Sequence, residues 1–522
     1  MNTVENRFRD KLAGGEQFVI SVELVPTRGM MRKGFEELIA FTEAALDYGK
    51  IDALSLTDNP GGNPRLAPDV LGLDILYRGM SPLVHMTCKD HNRNGLESRA
   101  FQLNRMGIEN VLALTGDYPV DGYRGVAKPS FDLDSVSLVR MLADMNRGLE
   151  APTPRPGKFV TLEPTNFLIG ASVSPFKQQR AELLGQYFKL EKKIKNGADF
   201  IITQLGYDMR KFDELLRYMR LQKIDVPVLG NVYVLHRFVS KIMNQNQVPG
   251  CVVTDELLNY VNKEGASPDK GKAAFLELAA KQVAVMKGIG FRGAHIGGFG
   301  LSFEDKQKVI DTAEQIGDGW RDHVDELLYP QADEFFFFEH NPETGLSTDK
   351  PSAVSRKKAD GPRIEFELMK FVHDRFFEPD SAGFKVARGV CSCIDRNETA
   401  TKAFSSVEKA VKYVMNNCEG CGDCSLGEMA FLCPESGCAK GLRNGPCGGS
   451  FQGICELEDR KCFWTRVVKR WDKENKLDTI RNPEPVYRNE SLKDSSSWLN
   501  YYLGRDHAEV GKEEKEAEKD KS

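Results

Sequence analysis

LVHMTCKDHNRNGLESRAFQLNRMGIENVLALTGDYP, residues 83–119, holds two short apolar runs, LVHMT (83–87) and VLALT (111–115), separated by SRAFQLNRMG. The middle stretch carries apolar residues at helical spacing and ends in Gly107, the residue type that closes a helix in the left-handed conformation. Strand, helix, strand is the local reading. Working outward, FVISVEL (18–24), ALSLT (53–57), FLIGAS (167–172), FIITQ (200–204), VPVLGN (226–231) and GAHIGG (293–298) repeat the first element. GFEELIAFTEAALDYG and QYFKLEKKIKNGA repeat the second. Eight strands alternating with helices predict an α/β fold, the (β/α)8 TIM barrel. A doubly wound open sheet is the competing arrangement, weakened because no GxGxxG follows the first strand.

At 522 residues the chain exceeds the roughly 250–300 residues that one core sustains, so a second unit is expected. EHNPETGLSTDKPSAVSRKKADGPR (339–363) is rich in Pro, Ser, Thr, Gly and charge and reads as an exposed linker. The expected division is a barrel over 1–315, a helix and linker over 316–364, a smaller cysteine-rich metal-binding α+β domain over 365–505 and a charged tail over 506–522. With 41% hydrophobic and 28% charged residues, and no apolar run near the roughly 20 residues that cross a bilayer, the chain reads as a soluble protein without a membrane span. MNTVENRFRDKLAGGEQ at the start lacks the apolar stretch of a secretory signal, so the expected location is the cytoplasm. The formal net charge of −5 offers no general attraction to nucleic acid.

Active sites of such barrels collect where strands meet their following helices. The strand ends here offer Glu23, Thr57-Asp58-Asn59, His85-Met86-Thr87, Thr115-Gly116-Asp117, Ala171-Ser172, Gln204 and Asn231. Burial among apolar walls raises a carboxyl pKa, which would let one of these acids hold and donate a proton. Each also has a plain structural reading: Glu23 paired with Arg28, His85 as a hydrogen-bonded packing residue, Asp117 in a turn.

Together, SVELVPTRG, the HMTC to TGDYP stretch and KLEKKIKNGADFIITQLGYD resemble methylenetetrahydrofolate reductase over about residues 15–310. The resemblance implies a flavin enzyme that reduces 5,10-methylenetetrahydrofolate to 5-methyltetrahydrofolate with reduced FAD. It implies Glu23 as the general acid that opens the folate ring to an iminium ion, Asp117 beside flavin and pterin, and Gln204 against the substrate. Thr57, His85, Thr87, Thr115, Gly116, Asp117, Ala171, Ser172 and Lys193 fall where the family lines its FAD site, with Lys193 as a phosphate contact. Two positions depart from bacterial relatives: Thr115 stands where Arg is frequent, and Ser172 where an aromatic is.

Ten of the twelve cysteines follow residue 390. CEGCGDCSLGEMAFLCP (418–434) aims Cys418, Cys421, Cys424 and Cys433 at one centre, a spacing that suits a 4Fe–4S cluster better than zinc. Cys438, Cys447, Cys455 and Cys462 are expected to hold a second cluster or a zinc ion, with Cys391 and Cys393 as further candidates. CEGCGDC, NGPCGGSFQGICE and KCFW resemble the cysteine-rich C-terminal-type domain of reductases in anaerobic, acetogen-like bacteria. The combined expectation is a folate-reducing flavoenzyme whose cysteine domain relays electrons from NAD(P)H, ferredoxin or a redox protein complex, assembled as a homo-oligomer or within a larger complex. Two alternatives stay open: a purely structural zinc domain on the same reductase, and a non-catalytic folate-binding scaffold subunit.

Overall fold

The computed structural model describes residues 6–15, 17–29, 31–353, 364–458 and 460–509. Every expected strand forms: β1 (Val19–Leu24), β2 (Ala53–Leu56), β3 (Pro82–Thr87), β4 (Asn110–Leu114), β5 (Leu168–Val173), β6 (Phe200–Thr203), β7 (Val228–Val234) and β8 (Gly293–Gly298). They pair in parallel, each with its sequence neighbour, and β8 closes on β1. Helices cover the outside, so β2 and β3 are buried along their whole length, the condition that selects unbroken apolar runs over alternation. The helix between β3 and β4 spans Arg93–Met106; Asn92 caps it by accepting from the Gly95 N–H at 3.0 Å, and left-handed Gly107 ends it.

A short helix, α1 (Arg7–Gly14), closes the barrel end where the strands begin. Phe8 and Leu12 pack there on Val19, Leu83, Leu112 and Phe200, with the Phe8 and Phe200 rings edge-on at 5.4 Å. Burying a phenyl ring contributes about 1.5–3 kcal/mol. The opposite end, where the strands finish, is left to the loops.

The molecule divides into two compact units, Met1–Ala353 with Pro446–Asp459, and Val354–Gly445 with Arg460–Ser522. The linker expectation changes: Phe338–His340 pairs antiparallel with Ser347–Pro351, and Ser347 N–H donates to Asp213 at 2.9 Å, holding this hairpin to the first unit. Residues 354–363 of that linker, and 510–522 of the expected tail, lie outside the described residues.

The second unit consists of helices and loops, including α12 (Ile364–Phe376), α13 (Ala382–Ile394), α14 (Glu398–Asn416), α16 (Phe463–Lys473) and α18 (Ser497–Tyr502). Among the described residues it has no β-strand, so it is helical where an α+β unit was expected; its apolar residues recur at helical spacing or sit in glycine-rich loops. Phe384, Cys391, Leu499 and Tyr502 form its apolar cluster. Among the described residues no helix is long and apolar enough to cross a membrane.

Candidate functional site

Glu23, near the end of β1, faces β8. Its Oε2 lies 3.8 Å from His295 Nε2, and His295 Nδ1 lies 2.9 Å from Ser21 Oγ. The β1–β8 register sets Ser21 beside His295, so closure of the barrel builds this row. Gly297 leaves room for it: a Cβ there would stand 3.4 Å from both Glu23 Oε1 and the Tyr233 ring. Lys306, on the helix Phe303–Ile316, donates to the Glu23 carbonyl at 2.7 Å. Glu23 is not a strand-end acid that burial raises. Burial does push it up, but His295, His85 and Lys306 outweigh burial and hold the carboxyl below its ordinary value. Arg28 is not its partner; His295 is. Burial presses Lys306 down to about 8.

His85 is buried on β3 with Nε2 2.8 Å from Ser55 Oγ, and burial, with His295 nearby, pushes it down to about 4. Thr87 spends its hydroxyl and N–H on Asp58, at 2.8 and 3.0 Å. Arg99 bridges Asp58 at 2.8 Å and Asp69 at 2.6 Å, and so fixes the ends of β2 and β3. Thr115 Oγ1 donates to Ser135 Oγ at 3.2 Å. Ala171 is fully buried. Thr57 Oγ1 is buried without a hydrogen-bond partner. Lys193 is buried and donates to the Ser172 carbonyl at 2.6 Å; burial and neighbouring Lys189 lower it to about 7. Gly116 is left-handed, and a Cβ there would crowd Thr87 at 3.0 Å. Asp117 is exposed and accepts the Gly61 N–H at 2.8 Å. Gln204, half-buried, accepts from the Leu205 N–H at 2.9 Å.

A segment distant in sequence completes this rim. Lys177, buried in the loop after β5, donates to the Gly448 carbonyl at 2.5 Å and the Ser450 carbonyl at 2.6 Å. Ser450 Oγ donates to Glu182 at 2.8 Å, and Gln179 Nε2 to the Gln452 carbonyl at 2.7 Å. A Cβ on Gly250 would meet the Gly448 carbonyl at 2.9 Å and Gln204 Nε2 at 3.3 Å, so the strap passes beside Gln204. Cys447 and Cys455 ride on this strap, in the first unit, whereas Cys438 and Cys462 belong to the second.

Beyond the ends of β7 and β8 opens a cavity of about 830 Å³. Phe238 and Phe299 wall it, 65% and 62% exposed. Arg237, Lys241 and Lys270 line it and make no ion pair among the described residues, while Asp269 is spent on Ser267 and the Gly271 and Ala273 N–H groups. The cavity is therefore cationic with aromatic walls.

In the second unit Cys418, Cys421, Cys424 and Cys433 line one cavity with Lys412, Ser425 and Arg443. Gly422 must be glycine: its φ is +72° and a Cβ would lie 1.8 Å from the Leu492 carbonyl. Lys412, paired with Glu408 at 2.7 Å, is raised despite burial by Cys424 and Glu408. Arg443 Nη1 and Ser425 Oγ are buried without hydrogen-bond partners. Cys391 packs in the apolar cluster and Cys393 is exposed on the same helix, α13.

Sequence reasoning missed His295, Lys306, Arg99 and the strap. A histidine inside the apolar run GAHIGG was the available signal for the first; the others depend on contacts between distant segments.

A family model described as methylenetetrahydrofolate reductase matches residues 7–305, and another, methylene-tetrahydrofolate reductase C terminal, matches 397–489. The chain is 23% identical over 256 residues to a probable methylenetetrahydrofolate reductase (NADPH) of Caenorhabditis elegans, covering 47% of this chain and 35% of that protein. It is 24% identical over 225 residues to the 5,10-methylenetetrahydrofolate reductase of Pectobacterium carotovorum subsp. carotovorum, covering 42% of this chain and 64% of that one. A solved structure of an uncharacterized protein from Clostridium thermocellum, described as binding two copies of 5-methyl-5,6,7,8-tetrahydrofolic acid, is 12% identical with a TM-score of 0.41, covering 59% of this chain and 98% of that one. The barrel match spans more than half of the sequence, and the chain belongs to the methylenetetrahydrofolate reductase family.

Proposed function

We propose that the chain reduces 5,10-methylenetetrahydrofolate to 5-methyltetrahydrofolate at the mouth of the barrel, with FAD as the hydride donor. The carrying observation is the Glu23–His295 pair, an acid and an imidazole 3.8 Å apart on neighbouring strands of a barrel of this family. Opening the folate ring needs a proton on the departing nitrogen. His295 is the chief group lowering Glu23 against burial, so in this reading the acid acts together with the imidazole beside it, and Ser21 fixes the ring of His295. Asp117 and Gln204 hold the pterin, and the cationic cavity takes the carboxylates of the glutamate end.

The donors expected around FAD suit such a group: Thr57 Oγ1 is a buried hydroxyl lacking a partner, and Lys193 is a buried ammonium resting on a carbonyl. FAD bound there supplies a two-electron hydride, and the residues above orient and enclose it. The cysteine cavity suits a 4Fe–4S cluster better than zinc, because the partnerless donors of Arg443 and Ser425 ask for acceptors that bridging sulfides provide. In this reading the second unit is the cysteine-rich type of acetogen-like reductases and receives electrons singly from a redox protein such as ferredoxin, NAD(P)H would instead give its hydride to the flavin directly, and the protein works in the cytoplasm.

Anaerobic purification followed by flavin, iron, sulfide and zinc analysis, with turnover measured against NADH, NADPH and reduced ferredoxin, tests this. Flavin, a dithionite-bleachable shoulder near 400 nm (about the region where such clusters absorb) and folate reduction are expected. Zinc without iron would leave a reductase with a structural second unit. Neither flavin nor turnover would overturn the reading in favour of a scaffold.

A further inference from the structure

Asp506 falls in the expected solvated tail, yet it is 3% exposed, and among the described residues neither carboxylate oxygen has a well-formed hydrogen bond, the Ala508 N–H being the one donor turned towards it. It is not alone. Asp423, fully buried between Cys421 and Cys424, and His507 place ligand atoms within 4.8 Å of Asp506 and of one another. Asp423 accepts the Asn489 and His507 N–H groups at 2.8 and 3.2 Å, and its Oδ1 lies 2.5 Å from His507 Nδ1. On the far side of the ring, Glu428 Oε1 lies 3.4 Å from His507 Nε2, and Glu428 Oε2 is buried without a partner.

Three carboxylates thus surround one imidazole, and the only ion-pair partner of Asp423 and Glu428 among the described residues is that imidazole. A cation satisfies both oxygens of Asp506 at once. We propose that Asp423, Asp506 and His507 bind a divalent first-row transition ion of the zinc, manganese or iron(II) class. An imidazole with two carboxylates suits such ions, whereas calcium takes six to eight oxygens. Glu428 is the positioning residue: accepting from Nε2–H, it directs Nδ1 to Asp423, and the ion would take the place of the proton between Nδ1 and Asp423 Oδ1. The ion ties the chain after α18 to the cysteine loop through Asp423, which also lines the cavity of the four thiols.

The test uses the full-length protein, purified anaerobically, treated with EDTA and titrated with Mn²⁺ alone, followed by EPR and calorimetry, with iron and sulfide assayed in parallel. Wild type is expected to bind one equivalent of Mn²⁺, or to retain one equivalent of non-iron metal through chelation. Asp506→Asn and His507→Gln should each weaken Mn²⁺ binding at least ~10-fold with iron and sulfide unchanged. Mn²⁺ should raise the Tm of wild type and not of Asp506→Asn. Wild type that holds no such metal at millimolar Mn²⁺, or Asp506→Asn that binds it as tightly as wild type, would overturn the proposal. The wild-type stoichiometry decides the matter even if a substitution prevents folding.

Discussion

The barrel and the second unit keep their charged groups for different purposes. In the barrel, eight strands closed by their own hydrogen bonds carry the frame, and Glu23, His295 and His85 stand on it as passengers at the strand ends. In the second unit the charged groups are the frame: Glu408 holds Lys412, Ser496 and Ser497, Glu435 holds Arg443 and Arg488, and Asp423 holds Asn489 and His507. A substitution at Glu23 should therefore alter chemistry without folding. One in the second unit should alter both.

The largest effect expected is at Glu23. Glu23→Gln should lower kcat/KM by about 10²–10⁴-fold while flavin content and Tm stay at wild-type values; loss of flavin or a Tm drop would break the distinction on the barrel side. Next, Glu408→Gln should strip the buried Lys412 of its carboxylate partner and cost the second unit about 3–5 kcal/mol, with loss of the metal proposed for the cysteine loop. Limited proteolysis should then cut the second unit and spare the barrel; metal and resistance retained as in wild type would break the distinction on the other side.

Acid should act on the barrel through His85. The folded barrel keeps it neutral down to about 4, whereas the unfolded chain takes up that proton near 6.5. Its contribution, at most about 3 kcal/mol, is complete above pH 6.5 and falls away as pH drops towards 4. Equilibrium unfolding from pH 7 to 4 should show this slope, and His85→Asn should flatten it. The smallest effect belongs to the cationic cavity. Replacing Arg237 and Lys241 together by alanine should raise KM for the folate about threefold to tenfold with kcat unchanged, and added salt should reproduce the change in wild type.

Local signals carry the barrel. Each barrel strand announces itself as a short apolar run, and the helix ends at Gly49, Gly107 and Gly290 are glycines in the left-handed conformation. Glu23 was visible as a carboxylate ending the first strand. His295 was not, because it acquires meaning only when β8 closes against β1, a contact 274 residues long in sequence. The lowering of Glu23 depends on the same contact. Asp506 and His507 were hidden by composition: a stretch leading into KEEKEAEKDK reads as solvent, although its first residues turn inward to Asp423. The strap was hidden by its cysteines, which drew it into the second unit on paper while Lys177 and Glu182 hold it to the first.

That strap has a consequence for synthesis. A ribosome has delivered the whole of Met1–Ala353 long before Gly448 and Ser450 emerge. At ~5–20 residues per second the delay is on the order of ten seconds. Through that interval the nascent barrel carries a buried-type lysine, Lys177, with its two carbonyl acceptors still untranslated. The rim beside Gln204 is thus the last part of the first unit to be finished, and a nascent chain stalled before residue 446 displays an open one.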